Sequence, residues 1–157
     1  MQISKNFVLK ELKRTECRIP NIPDQRAIIN LTAGTHRILQ PCRDQFGLVR
    51  VSSAYRCPAV NEAIGGSKTS DHCAIGTSCA FDFEIASEEV SNLQLAEWIR
   101  DNLEFKQLIL EFYDPTEGPN SGWVHCSYDI AGGNRKEIKT AKVIKDKTKY
   151  LDGFVVD

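Results

Sequence analysis

Long apolar runs are missing from this chain, and histidine is scarce. No stretch approaches the ~20 apolar residues that cross a bilayer as a helix. The opening Met1-Gln2-Ile3-Ser4-Lys5 lacks the apolar centre of an export signal, so synthesis in the cytosol without such a signal is expected. Neither sign of charge is in excess. With 20 Lys and Arg against 21 Asp and Glu, the net charge is −1. That leaves no long-range field for nucleic acid or an anionic membrane, and neither is expected as a partner. None of the six cysteines forms a Cys-x-x-Cys pair, which weakens a thiolate metal site. Without a secretion signal, free thiols are the default for all six. Internal repeats, low-complexity segments and a strand-helix-strand rhythm are also absent, so the expected class is α+β.

What is present suits one folded unit. The 157 residues, 41% of them hydrophobic, can bury a core without staples. A single domain over residues 1–157, monomeric, is the expectation. Phe7 to Leu12 reads as a short amphipathic turn. From Asp24, a plausible N-cap, apolar residues at helical spacing run to Phe46, with Gly34 and Pro41 set to bend or interrupt them. His36 falls inside this helix with no partner at ligand spacing, and reads as structural or exposed. Gly47 ends the helix, and Leu48 to Tyr55 alternates like a strand. A short helix from Ala59 to Ile64 stops at Gly65-Gly66. A strand from Ala80 to Ile85 precedes a helix capped by Ser87-Glu88-Glu89, with Val90, Leu93, Trp98 and Ile99 on one face. Strands from Phe105 to Tyr113 and from Gly122 to Tyr128 flank a turn-rich connection. From Ala131 the chain is polar and lysine-rich, either a solvated face or a weak wall-binding surface.

The chemistry concentrates between Ser70 and Asp82, Ser-Asp-His-Cys-Ala-Ile-Gly-Thr-Ser-Cys-Ala-Phe-Asp, and around His125. His72, Asp82 and His125 make two imidazoles and one carboxylate. Such a set holds Zn2+ through three protein ligands and leaves a fourth position for water, as catalytic sites do. A surface turn with one hydrogen-bonded His and one capping Asp would carry the same spacing. So would a Cys/His site using Cys73, Cys79 or Cys126 beside these residues. Alternation along Asp82-Phe83-Glu84-Ile85 turns Asp82 away from the core that Phe81 and Phe83 enter.

Several segments in order resemble one family. They are Ser53-Ala54-Tyr55-Arg56-Cys57-Pro58-Ala59-Val60-Asn61, Gly65-Gly66-Ser67, Ser70-Asp71-His72, Ala80-Phe81-Asp82 and Trp123-Val124-His125-Cys126-Ser127. Together they resemble the zinc D-Ala-D-Ala carboxypeptidases, which include bacterial and phage peptidoglycan peptidases and the vancomycin-resistance D,D-peptidases. Phe7 to Leu12 and Asn134-Arg135-Lys136-Glu137 are similar to the phage-type members. The resemblance implies a hedgehog-like α+β fold with a central antiparallel sheet flanked by helices. It also implies zinc held by His72, Asp82 and His125. The His72-to-Asp82 loop is longer here than the family's usual spacing.

A general base must lie within reach of the attacking water. Glu111 is the candidate, because a hairpin register pairing it with His125 puts both on one face. Some relatives carry an acid just before the last histidine, where this chain has Gly122, Trp123 and Val124. Arg56 offers a planar fork of donors to a substrate carboxylate or oxyanion, the role the matching family arginine implies. Ser70 either donates to substrate or caps its loop, and Trp123 is core, cleft wall or substrate contact.

Two functions follow. One is a zinc peptidase acting on the peptidoglycan stem peptide or crosslink, a D,D-carboxypeptidase or endopeptidase working as a phage-type lysin at the bacterial cell wall. It would reach the wall through a separate membrane lesion or in a particle. The other is a non-catalytic module of the same fold that binds wall peptide or zinc.

Overall fold

Asp24 opens the first long helix, its carboxylate accepting from the Ala27 N–H at 2.8 Å. In the computed structural model, which describes residues 1–157, a short helix α1 (Leu9–Leu12) precedes it. Helix α2 (Gln25–Gly34) passes through a π-helical turn, Thr35–Leu39, directly into α3 (Gln40–Phe46). The expected interruption is thus a widening of one turn. Pro41 has no N–H to give the helix ladder, and the wider turn sits just before it, where Gln40 N–H reaches back to the Thr35 carbonyl. Gly34 lets this rod lie close to the sheet, because a Cβ there would overlap Cys79 Sγ and the Phe81 ring. His36 holds the Ile3 carbonyl through Nε2 at 3.1 Å, a structural role.

Six strands follow: β1 (Val49–Ser53), β2 (Ser78–Ile85), β3 (Gln107–Glu111), β4 (Trp123–Asp129), β5 (Glu137–Ile144) and β6 (Lys147–Asp152). Helix α4 (Pro58–Ala63) and a 3-10 turn, Asp71–Cys73, lie between β1 and β2, and α5 (Asn92–Asn102) lies between β2 and β3. One sheet takes the order β1-β2-β4-β3-β5-β6. Phe81, Phe83, Leu108, Leu110, Val124 and Cys126 enter a core shared with Leu31 of α2 and Leu95 and Ile99 of α5. The opposite face of β2 and β4 is left for polar groups.

Two expectations need correcting. The sheet is mixed, not wholly antiparallel, because β5 runs parallel to β3. Both edges of β4 are already taken, by β2 and β3, so a strand returning from β4 lands on the free edge of β3 and matches its direction. The lysine-rich segment from Ala131 supplies the β5–β6 hairpin, with Thr140 and Ala141 buried and residues 143–150 exposed, as a solvated face is. Helix α5 starts later than expected. Ser91 and Gln94 form a reciprocal capping box, Ser91 Oγ accepting from Gln94 N–H at 3.0 Å and Gln94 Oε1 from Ser91 N–H at 2.8 Å. Ser87 holds only the preceding turn, through Glu89 N–H at 3.2 Å.

Candidate metal-dependent active site

Strand alternation brings the first two ligands together. Phe81 and Phe83 on β2, and Val124 and Cys126 on β4, all point into the core, so Asp82 and His125 share the other face. They are direct cross-strand partners, and His125 Nδ1 lies 2.8 Å from Asp82 Oδ1.

His72 comes from the 3-10 turn. Ser70 Oγ caps that turn by accepting from the His72 N–H at 3.3 Å, and Ala74 leaves it with φ +50°. The His72 carbonyl accepts from Arg56 N–H at 2.9 Å, tying the turn to the segment after β1. Inside the ring, Nδ1 donates to the Ala54 carbonyl at 2.7 Å. A carbonyl can only accept, so Nε2 keeps its lone pair and faces the cluster. It lies 3.2 Å from Asp82 Oδ2 and 3.3 Å from His125 Nδ1.

The loop from Cys73 to Cys79 is clamped from behind. Asn30 Nδ2 faces the carbonyls of Ala74, Gly76 and Ser78 at 3.2, 3.1 and 3.3 Å. Lys106 Nζ holds Asp71 Oδ1 at 2.7 Å and Ser78 Oγ at 3.3 Å. Neither Asn30 nor Lys106 was legible as a site residue, since both act only through distant carbonyls and side chains.

The donor set suits a cation. The ligand atoms of His72, Asp82 and His125 all lie within 4.8 Å of one another. A tetrahedral zinc with bonds of about 2.0–2.1 Å has ligand edges of roughly 3.3 Å, close to the 3.2 and 3.3 Å separations around His72 Nε2. The charges agree. Burial alone would raise the Asp82 carboxyl, yet the His72 and His125 imidazoles hold it well below the usual carboxylate range. Burial keeps His72 neutral at lower pH than an ordinary histidine. Burial also disfavours a charged His125, but the Asp82 hydrogen bond and charge overcome this and raise it. Without metal, a proton is favoured where the cation would sit.

No cysteine joins the cluster. All six are free, and Cys79 packs in the core beside Phe81. Burial pushes the Cys42, Cys79 and Cys126 thiols up, as suits packing residues rather than ligands.

Glu111 reaches the site by a different register from the expected one. It pairs with Trp123, and Ile109 is the residue opposite His125. The slip is two residues, so the face is unchanged and Glu111 Oε1 lies diagonally, 3.9 Å from His125 Nδ1. Gly122 permits this approach. It adopts φ +63°, and a Cβ there would strike the Glu111 carbonyl. Burial, reinforced by the Asp82 charge, pushes Glu111 up to about 7.

Arg56 lines the opposite side. Its Nη1 donates to Asn61 Oδ1 at 3.3 Å, Nη2 lies 3.8 Å from Asp82 Oδ2, and Nε is buried without a partner. Asn21 braces the backbone here, donating to the Tyr55 carbonyl at 2.8 Å and accepting from Cys57 N–H at 2.7 Å. These groups open onto a cleft of about 460 Å³ that Ser70 and Trp123 also line. Lys139 and Tyr150 of the β5–β6 hairpin line it too; the sequence placed Lys139 only within the lysine-rich segment and gave Tyr150 no role.

With this geometry in view, the family model for Peptidase M15 matches residues 5–127. The chain belongs to the Peptidase M15 family. No curated protein matches it. Peptidase M15 is the family of the zinc D-Ala-D-Ala carboxypeptidases, and membership implies a hydrolase of the zinc-dependent kind. The match takes in His72, Asp82, Glu111 and His125 and stops before the β5–β6 hairpin. No helix is long and apolar enough to cross a membrane.

Proposed function

We propose that this Peptidase M15 chain is a single zinc peptidase domain over residues 1–157, hedgehog-like in fold and monomeric. Its proposed substrate is the stem peptide or crosslink of bacterial peptidoglycan, cut as a D,D-carboxypeptidase or endopeptidase. Its proposed place of action is the cell wall, as a phage-type lysin. The observation that carries this reading is one open cleft joining three ligand-competent groups, His72, Asp82 and His125, with a Glu111 carboxylate 3.9 Å from His125 Nδ1. A module that only binds peptide has no use for an acid held so close to three ligand-competent groups, which favours the enzyme.

His72 Nε2, Asp82 and His125 Nδ1 would hold the metal. When bound, zinc supplies a Lewis acid that polarises a carbonyl and makes a water acidic near neutral pH. Glu111 takes the proton from the attacking water and returns it to the leaving amine, a role its carboxylate can play from 3.9 Å off His125 Nδ1. Arg56, whose guanidinium lines the cleft, donates to the oxygen on which negative charge develops or to a substrate carboxylate. Ser70 holds the His72 turn from the cleft wall, and its Oγ retains a proton to donate to substrate.

Digestion of purified sacculi tests the reading. The zinc-loaded protein should release peptide fragments, and the new termini identify the bond. Intact sacculi after prolonged digestion, with stem peptides also uncut, would remove the peptidoglycan assignment.

A further inference from the structure

The cleft is built on cross-strand rows, and the rows do not stop at the catalytic strands. One runs Asp82, His125, Ile109, Lys139 and Asp152 across β2, β4, β3, β5 and β6. The next, two residues along, runs Trp123, Glu111, Ala141 and Tyr150 across β4, β3, β5 and β6. Residues directly opposite in a sheet share a face, so Lys139 and Tyr150 lie on the same surface as His125 and Glu111. Adjacent strands are about 4.8 Å apart, which sets Lys139 roughly 10 Å from His125, about three residues of an extended peptide.

The chemistry of that position is specific. Lys139 keeps about a quarter of its side chain exposed, and its Nζ is 2.6 Å from Asp152 Oδ1, on a side chain 92% exposed. Such a solvated pair contributes little and exchanges readily. The other acid nearby, Glu137, is occupied by Gln107 and Arg135. On the far side of the cluster, Arg56 presents its own cation. The cleft therefore has an acidic centre, Asp82 and Glu111, with one cation on each flank. Tyr150 closes the row beside Glu111, with only the small buried Ala141 between them. Desolvation, with the Glu111 and Asp82 charges, raises its phenol, so it stays neutral.

We propose that the β5–β6 hairpin is a substrate-recognition wall, in which Lys139 exchanges Asp152 for a free carboxylate of the bound peptide. This rests on the peptidase reading and deepens it, since it defines the substrate as anionic on the flank away from Arg56. A lysine-type stem pentapeptide offers two such groups, the α-carboxylate of a γ-linked D-glutamate and the C-terminal carboxylate.

The test uses a synthetic stem pentapeptide with both carboxylates free, with the D-glutamate carboxylate amidated, or with the C-terminus amidated. Binding is read by calorimetry on zinc-loaded protein carrying Glu111→Gln to stop turnover. KM and kcat are read with Glu111 intact. Lys139→Ala should weaken binding of the free peptide about tenfold and raise KM more than it lowers kcat. Lys139→Arg should restore most of the affinity, and Asp152→Asn should tighten binding by removing the competitor. Amidating one carboxylate should reproduce the loss, and Lys139→Ala should then add nothing further. That identifies which carboxylate Lys139 holds. Equal losses with all three peptides, or no loss, would overturn the proposal, as would a parent protein that binds none of them. Lys139-dependent binding without any cleavage would uphold it and instead defeat the hydrolytic reading.

Discussion

Asp82 and His125 are direct partners across β2 and β4, and their side chains meet at 2.8 Å on the face turned from the core. This pairing means that two of the three ligand positions are set by sheet register. His72 alone depends on a loop.

The ligand set predicts one zinc per chain. His72→Ala, Asp82→Ala and His125→Ala should each abolish stoichiometric zinc in the purified protein, measured by metal analysis. Cys73→Ser and Cys79→Ser should keep it. Zinc lost with the cysteines and kept without Asp82 would reassign the site to thiolates.

Zinc affinity should fall as the pH is lowered. In the metal-free protein Asp82 raises the pKa of His125, so a proton competes for Nδ1 over a wider range than at an ordinary histidine. Below that raised pKa, each displaced proton should cost about tenfold in apparent affinity per pH unit, and above it the dependence should flatten. Competition with a chelator between acid and mildly basic pH measures the slope, and a flat profile would exclude His125 as a ligand.

Glu111→Gln should leave zinc content and melting temperature near those of the parent and lower turnover by about a hundredfold to ten-thousandfold. Near-normal turnover would remove Glu111 from the chemistry and turn attention to the acids of the Asp114–Glu117 connection.

Arg56→Lys keeps a charge but loses the planar fork. Turnover of wall peptide should fall steeply with zinc unchanged. If turnover holds, the side chain serves only its hydrogen bond to Asn61 and its ion pair with Asp82.

Asn30→Ala should act at a distance. It leaves the Ala74, Gly76 and Ser78 carbonyls short of a donor, at a cost of about 1–3 kcal/mol. Thermal unfolding should show the loss, and zinc should bind more weakly because the loop carries His72. Unchanged zinc affinity in a destabilised variant would mean that His72 is held by Ala54 and Arg56 alone.

Local features of the chain were legible where a single element decides them. Asp24 caps α2 because its carboxylate answers an N–H three residues on, and that needs no tertiary partner. Asp82 faces away from Phe81 and Phe83 because strand alternation has a period of two. The start of α5 was misplaced by similar local signals, since Ser87 and Ser91 both resemble caps and only Ser91 has Gln94 to complete the box.

By itself, the order of residues determined which side chains could carry chemistry and which way each would face along its own strand. Tertiary structure alone decided which of them meet. The register that sets Glu111 opposite Trp123 depends on Phe112 and Gly122, whose positive φ values of 54° and 63° shape the return into β4. The parallel union of β5 with β3 arises because β4 has no free edge, a fact about neighbours and not about residues 137–144. Lys139 and Tyr150 therefore read as part of a basic segment in the chain and become cleft residues only in the sheet. Alternation is a property of each strand, whereas pairing depends on which hydrogen-bonding edges the rest of the molecule leaves open.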